Sequence, residues 1–386
     1  MKLLICEWNA YMQDDFEATL KKHHIPFRGV SYCFESVYED EYFEAKFPRF
    51  IHEDVYDAVV TFNYFPLVAK VCHRENIMYI AWCYDNPLDA RNVEDTLGYP
   101  TNRVFFFDKV QYLGYKNAGF DTAYHLPLAV STDRLDALTY TEEDIRRFSS
   151  EISFVGKLYP SDLDYLMAPL SQPLKDVLLS MVSTQMKIYG NYFLNEAITD
   201  DLLGLINMEY AKTPAYAEHH LTREELSYAL ATQITRIERL TILGHLAQTH
   251  QVKMYSRENH PYLAATTYCG TAQYNTEMPK IFKLSKINLN INLKISQTGL
   301  PLRAIDILGA GGFLLTNYQK EYEEHFVSGR DIVIYDSIED AVAKADYYLA
   351  HEEERARIAH NGYEIAKEHY SYEHLIAVLL QTVGLM

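Results

Sequence analysis

Gly299, Arg303 and Asp306 lie within one stretch, GLPLRAIDILGAGG (299–312). Residues three or four apart share a helix face, so Arg303 and Asp306 would stand together. A helix start carries unpaired N–H groups and partial positive charge, which suits a phosphate or diphosphate. Gly299 would let the backbone come close to such a ligand. Arg303 would add positive charge, and Asp306, further inside, could accept hydrogen bonds from ribose hydroxyls. The same two side chains could instead pair with each other on a helix surface. Asp85 is the other pointed residue. It follows an apolar run and precedes Asn86-Pro87. It could take the proton of a hydroxyl as general base, or it could open a turn. His125, beside an apolar run, is a weaker rival for that role.

These residues need elements to position them. Ile287, Leu289, Ile291 and Leu293 alternate with Asn288, Asn290 and Asn292, a period of two that reads as a strand. A polar turn, Ser296 to Gly299, follows. Pro301 then suits the first position of a helix carrying Leu302, Ile305, Leu308 and Ala310. Gly311-Gly312 stops it, and Phe313 to Leu315 begins another strand. Upstream, Lys2–Cys6, Ala58–Phe62, Ile77–Trp82, Val104–Phe107 and Ala123–Leu126 read as strands between helical patterns. Such alternation implies parallel, doubly wound sheets. Ligands sit beyond the carboxyl ends of such strands, which places Asn9, Tyr11, Asn63 and Asp85 near a site. Residues 34–50 read as a surface excursion, 162–248 as a helical insertion, and Tyr318–Phe326 as a helix. Ser337 with Asp340, and Ser371, read as helix caps.

Composition narrows the function classes. Fifty-three acidic residues against 35 basic ones give a net charge of −18, which argues against nucleic acid and anionic lipid as partners. The 386 residues suit two domains, and 48% hydrophobic content can fill a core in each. Five cysteines without a CxxC suggest reduced thiols and a cytoplasmic setting. The opening Met1-Lys2 runs straight into a strand, so no leader is expected, and no apolar run is long enough to span a membrane. No metal-ligand spacing stands out.

GLPLRAIDILGAGGFLLTNYQKEYEEHF (299–326) resembles the donor-binding segment of CgeB-like glycosyltransferases, a group similar to nucleotide-sugar transferases of GT-B fold. HEEERARIAHNGYEIAKEHYSYEHL (351–375) shares the resemblance, and the N-terminal half does so more weakly. It implies two Rossmann-like domains facing a cleft: residues 1–148 for the acceptor, and 149–370 for the donor with the 162–248 insertion. Residues 371–386 would form a helix crossing back to the first domain. Many relatives bracket the glycine turn with two acids eight positions apart. Asp306 matches the second, but Thr298 stands at the first. ISFVGKLYPS (152–161) matches the glycine and basic residue placed beside the diphosphate.

The resemblance implies a donor set of Gly156, Lys157, Tyr255, Gly270, Tyr274, Asn292, Thr298, Gly299, Leu300, Arg303 and Asp306. Tyr274 would stack on the base. Lys157 and Arg303 would offset charge on the departing diphosphate without a metal. If the reaction inverts the anomeric centre, Asp85 is the expected base; if it retains, the phosphate itself would take the proton. The expected activity is transfer of a sugar from a nucleotide-sugar donor to a glycan, protein or lipid acceptor. A sugar-nucleotide epimerase and an inactive nucleotide-binding scaffold are the alternatives. The helical insertion could shape the acceptor side or meet a second copy of the chain.

Overall fold

The computed structural model describes residues 1–8, 10–34, 36, 39–88 and 92–386. Asn9 falls outside them. The chain forms two compact units, Met1–Ala137 with Thr298–Gly309 and Glu364–Met386, and Leu138–Gln297 with Ala310–Tyr363.

The first unit is built on β1 (Leu3–Glu7), β2 (Phe27–Ser31), β3 (Ala58–Phe62), β4 (Met78–Cys83), β5 (Asn102–Phe106) and β6 (Ala123–His125). They form a parallel sheet in the order β2-β1-β3-β4-β5-β6. Strands covered on both faces need apolar residues at every position. In β1, Leu4 and Cys6 join one core cluster while Leu3 and Ile5 join another. The second cluster includes Phe16, Trp82 and, from the helix Tyr372–Thr382, Leu375, Ile376, Leu379 and Leu380. Ser371 caps that helix by accepting from the His374 N–H.

The second unit is built on β7 (Ser150–Val155), β8 (Val252–Tyr255), β9 (Thr267–Tyr268), β10 (Ser285–Asn290), β11 (Leu314–Asn317) and β12 (Val333–Tyr335). This sheet is also parallel, in the order β12-β11-β10-β7-β8-β9. The alternation seen around β10 does not separate core from solvent, because both faces are buried. Ile287 and Leu289 enter an apolar cluster. On the other side, Asn288 Nδ2 donates to the Phe282 carbonyl and its Oδ1 accepts from Ser153 Oγ, while Asn290 Nδ2 donates to Asn292 Oδ1 and Thr316 Oγ1. Buried amides are tolerable when satisfied in this way. Between β7 and β8 the helices Leu163–Met167, Gln172–Gln185, Leu194–Ala197, Asp200–Tyr210 and Arg223–Leu246 enclose a core of their own.

Three expectations change. Residues 34–50 are not simply a surface excursion: Glu41–His52 is a helix capped by Asp40, which accepts from the Phe43 N–H at 2.8 Å. Phe43, Phe47 and Ile51, spaced four apart, bury its inner face. Tyr318–Phe326 is not a full helix, since only a short 3-10 turn, Lys320–Glu324, forms there. The stretch 298–309, expected in the donor domain, packs within the first unit. Its helix, Leu302–Gly309, sets Leu302 against the first unit's core, and a Cβ on Gly309 would come within 2.4 Å of Val130.

Among the described residues, no helix is long and apolar enough to cross a membrane. All five cysteines are free, and burial pushes the Cys6 thiol up to about 12.

The docking of the last helix is testable. Leu379→Ala should destabilise the protein by about 2–5 kcal/mol, read as a lower urea midpoint. An unchanged midpoint would mean that this helix is not part of the first unit's core.

Candidate functional site

In the first unit, the stretch that reads as an anion site already meets an anion. Asp108 caps the helix Lys109–Asn117: its Oδ1 accepts from the N–H groups of Val110 at 2.9 Å and Gln111 at 3.1 Å. Its Oδ2 accepts from the N–H groups of Thr298 at 2.9 Å and Gly299 at 3.0 Å, and the Thr298 hydroxyl donates to Oδ1 at 3.1 Å. The requirement for glycine at 299 follows from the same contact. A Cβ there would lie 2.8 Å from Asp108 Cα and the Phe107 carbonyl oxygen. The close approach that this glycine permits is therefore to backbone of the same unit, not to a bound phosphate.

Leu300 is buried, and Arg303 is half-buried on the following helix. Asp306 is 8% exposed. It lies near Tyr372, whose phenol is pushed up first by burial and then by the charges of Asp15 and Asp306. Asp15 itself is held by Arg134 through two hydrogen bonds of 2.6 and 2.8 Å, a bidentate geometry.

The structure brings Asn63 and Asp85 together. Asn63 follows β3 with a left-handed φ of 67°. Its Nδ2 donates to Asp85 Oδ2 at 2.6 Å, and its Oδ1 accepts from the N–H groups of Tyr84 and Asp85. One amide thus fixes both the loop after β4 and its carboxylate. His125 Nε2 lies 3.3 Å from the Phe107 carbonyl oxygen.

In the second unit, Gly156 and Lys157 follow β7, and the Lys157 side chain is exposed. The buried Arg239 holds the Lys157 backbone in place. Its guanidinium donates to the Lys157 carbonyl and, at 3.1 Å from Nε, to the Ile291 carbonyl, so it links the chain beyond β7 with the chain beyond β10. It also lies over the rings of Phe154 and Tyr159. Glu258, after β8, accepts from Leu158 N–H at 3.1 Å and Ser256 Oγ at 2.8 Å. Burial pushes the Glu258 carboxyl up, but these hydrogen bonds and the Lys157 charge outweigh it and leave it below its ordinary value.

Asn292 is buried, its N–H donating to Asn317 Oδ1. Tyr255 is buried at the end of β8, where burial raises its phenol. Gly270 has a φ of 72° with open space where a Cβ would stand, and Tyr274 is half-buried in the loop beyond it. Deeper down, Lys294 Nζ pairs with Glu238 Oε2 at 3.2 Å and lies 3.8 Å from the centre of the Tyr189 ring, and the Tyr189 hydroxyl donates to Glu238 Oε1.

Sequence reasoning passed over Asp108, Arg239, Glu258 and the Glu238–Lys294 pair. The charged residues inside the apolar helix Arg223–Leu246 were the available signal for Arg239 and Glu238. Nothing near Asp108 in sequence points to Gly299.

Residues 222–381 match the model of a family described as glycosyl transferase-like. No curated protein sequence matches the chain. Its fold is similar to solved structures of GT-B glycosyltransferases along their whole length. HepE from Anabaena in complex with UDP and glucose is 11% identical, with all of both chains covered and a TM-score of 0.59. A glycosyltransferase from Rickettsia africae is 8% identical, with 99% and 97% covered and a TM-score of 0.56. Sucrose-phosphate synthase from Thermosynechococcus elongatus is 11% identical, with 100% and 98% covered and a TM-score of 0.53.

Two outcomes follow from the geometry. Gly299→Ala should cost roughly 1–3 kcal/mol through overpacking against Phe107–Asp108, read as a lower melting temperature; a neutral result would deny the close contact. Glu258 has a depressed folded pKa, so its contribution is present above the unfolded value of about 4.3 and fades as pH falls through the folded one. The stability gap between wild type and Glu258→Gln should therefore be wider at about pH 6 than at about pH 3, measured by thermal unfolding.

Proposed function

We propose that this protein is a glycosyltransferase that moves a sugar from a nucleotide-sugar donor to an acceptor hydroxyl. The observation that carries the reading is the glycosyl transferase-like match over residues 222–381, in a chain with the two parallel sheets of a GT-B fold. Within that class the stretch 299–326 supports a CgeB-like subgroup, and five free cysteines support a reducing, cytoplasmic setting.

The roles divide by chemistry. Lys157, exposed on a loop fastened by Arg239 and Glu258, supplies a positive charge to a phosphate oxygen. Gly270 and Tyr274 border the base. No metal is needed on this scheme, because a side-chain cation offsets the developing charge. The acceptor oxygen bonds the anomeric carbon as the bond from that carbon to the diphosphate oxygen breaks. The electron pair leaves with the diphosphate, and the hydroxyl proton passes to Asp85.

A second reading has one observation in its favour. Thr298 replaces an acid, and its hydroxyl and N–H are both engaged by Asp108. That would suit a scaffold which binds nucleotide without turnover.

A thermal-shift panel of UDP, GDP, ADP, CMP and dTDP, with and without EDTA, tests the donor site. One nucleotide at a hundredfold excess over its Kd should stabilise the protein by about 2.7 kcal/mol. The shift should survive EDTA and be lost in Lys157→Ala. A flat panel for folded protein would sink the proposal. Binding without release of nucleoside diphosphate from any sugar conjugate would favour the scaffold.

A further inference from the structure

The first sheet reverses its strand order between β1 and β3. In open α/β sheets, ligands bind beyond the carboxyl ends of the strands at such a reversal. The residues placed at that edge are aromatic and acidic. Trp8 follows β1, and its ring packs edge-on to Phe65 at 5.4 Å and stacks with Tyr84 at 6.2 Å and an interplanar angle of 11°. Its Nε1–H donates to the Phe62 carbonyl at 2.7 Å, so the polar edge of the indole is satisfied by backbone. Tyr11, 51% exposed, stands edge-on to Tyr84 at 6.1 Å. Next to Tyr84 in the chain is Asp85, held by the Asn63 amide at 2.6 Å.

An apolar ring face beside a fixed carboxylate suits a particular kind of ligand. A pyranose offers C–H groups on its face and hydroxyls on its rim. Aromatic rings can cover the first, and a carboxylate accepts strong hydrogen bonds from the second. An acyl chain is disfavoured, because it would strip water from Asp85 and give back no hydrogen bond. A peptide hydroxyl would use Asp85 but leave Tyr11 and Tyr84 without a flat partner.

We propose that Trp8, Tyr11, Tyr84 and Asp85 form an acceptor subsite, and that the acceptor is a carbohydrate. This rests on the transferase reading above. The rings stack on the sugar face, and Asn63 is a positioning residue that holds Asp85 toward the acceptor hydroxyl.

The chain offers its own reporter. It has two tryptophans, and the other, Trp82, is wholly buried. Fluorescence would be titrated with malto-, cello- and chito-oligosaccharides, each with the nucleotide found to bind. A serine- and threonine-containing peptide pool and phosphatidylglycerol vesicles form the other arms. One oligosaccharide class should shift the Trp8 emission saturably. Tyr11→Ala should weaken that binding about fivefold, the scale of one lost ring contact, without moving the melting temperature. Asn63→Ala should weaken it too, and should lower kcat with acceptor more than it raises the donor KM. A response only to peptides or vesicles, no response to any oligosaccharide, or wild-type affinity in Tyr11→Ala would overturn the proposal. Nucleotide binding with no oligosaccharide response sinks this inference alone. Failure of nucleotide binding removes the transferase reading beneath it.

Discussion

One buried carboxylate ties together the parts of the chain on which the functional reading turns. Asp108 receives four backbone N–H groups and a hydroxyl, from the start of the helix Lys109–Asn117 and from the turn at Thr298-Gly299. Hydrogen bonds to a charged group contribute roughly 1.5–3 kcal/mol each, and a buried carboxylate left without them is costly. The turn is therefore set by residues nearly two hundred positions earlier. Through it the helix Leu302–Gly309, with Arg303 and Asp306, becomes part of the first unit although the strands before and after it belong to the second. Glycine at 299 and glycine at 309 are the two places where backbone must come close for this to happen.

The second unit uses a different device at the carboxyl ends of its strands. Its loops are held by buried polar groups rather than by apolar packing alone. Arg239 joins the Lys157 and Ile291 carbonyls, Glu258 holds Leu158, Asn317 takes the Asn292 N–H, and Lys294 and Glu238 pair beneath them. Such networks have strict geometry, because each member left unsatisfied costs more than it would in water. That strictness is useful where a loop must present a lysine or a backbone group to a ligand at a defined place. Two of these residues, Glu238 and Arg239, are neighbours on the long helix of the insertion, so the insertion also braces the loops beyond the central strands β7 and β10.

Much of the fold was legible in the sequence. Continuous apolar runs marked the strands because both faces of each sheet are covered, and the asparagine alternation around β10 still read as a strand although its polar side is buried. The helix Glu41–His52 is hard to read from the sequence, because acids and tyrosines interrupt the apolar spacing of Phe43, Phe47 and Ile51. At Tyr318–Phe326, acids and aromatics at helical spacing do not decide between an α-helix and the one short 3-10 turn that forms. At the candidate site, Gly299 announced a close approach, but not what it approaches. Spacing can show that a glycine is needed; only the fold shows that Phe107 and Asp108 are the reason. Asp85 was visible as a carboxylate after a buried strand, whereas its support by Asn63 was not, because the two residues come from different strands.

Product analysis by mass spectrometry would decide whether the protein transfers a sugar. The protein would be incubated with each nucleotide-sugar that binds and with a mixture of oligosaccharides. Transfer should give equal amounts of nucleoside diphosphate and of an oligosaccharide heavier by one sugar residue. A nucleotide-sugar that only changes stereochemistry, or that is bound and recovered intact with every acceptor, would contradict it.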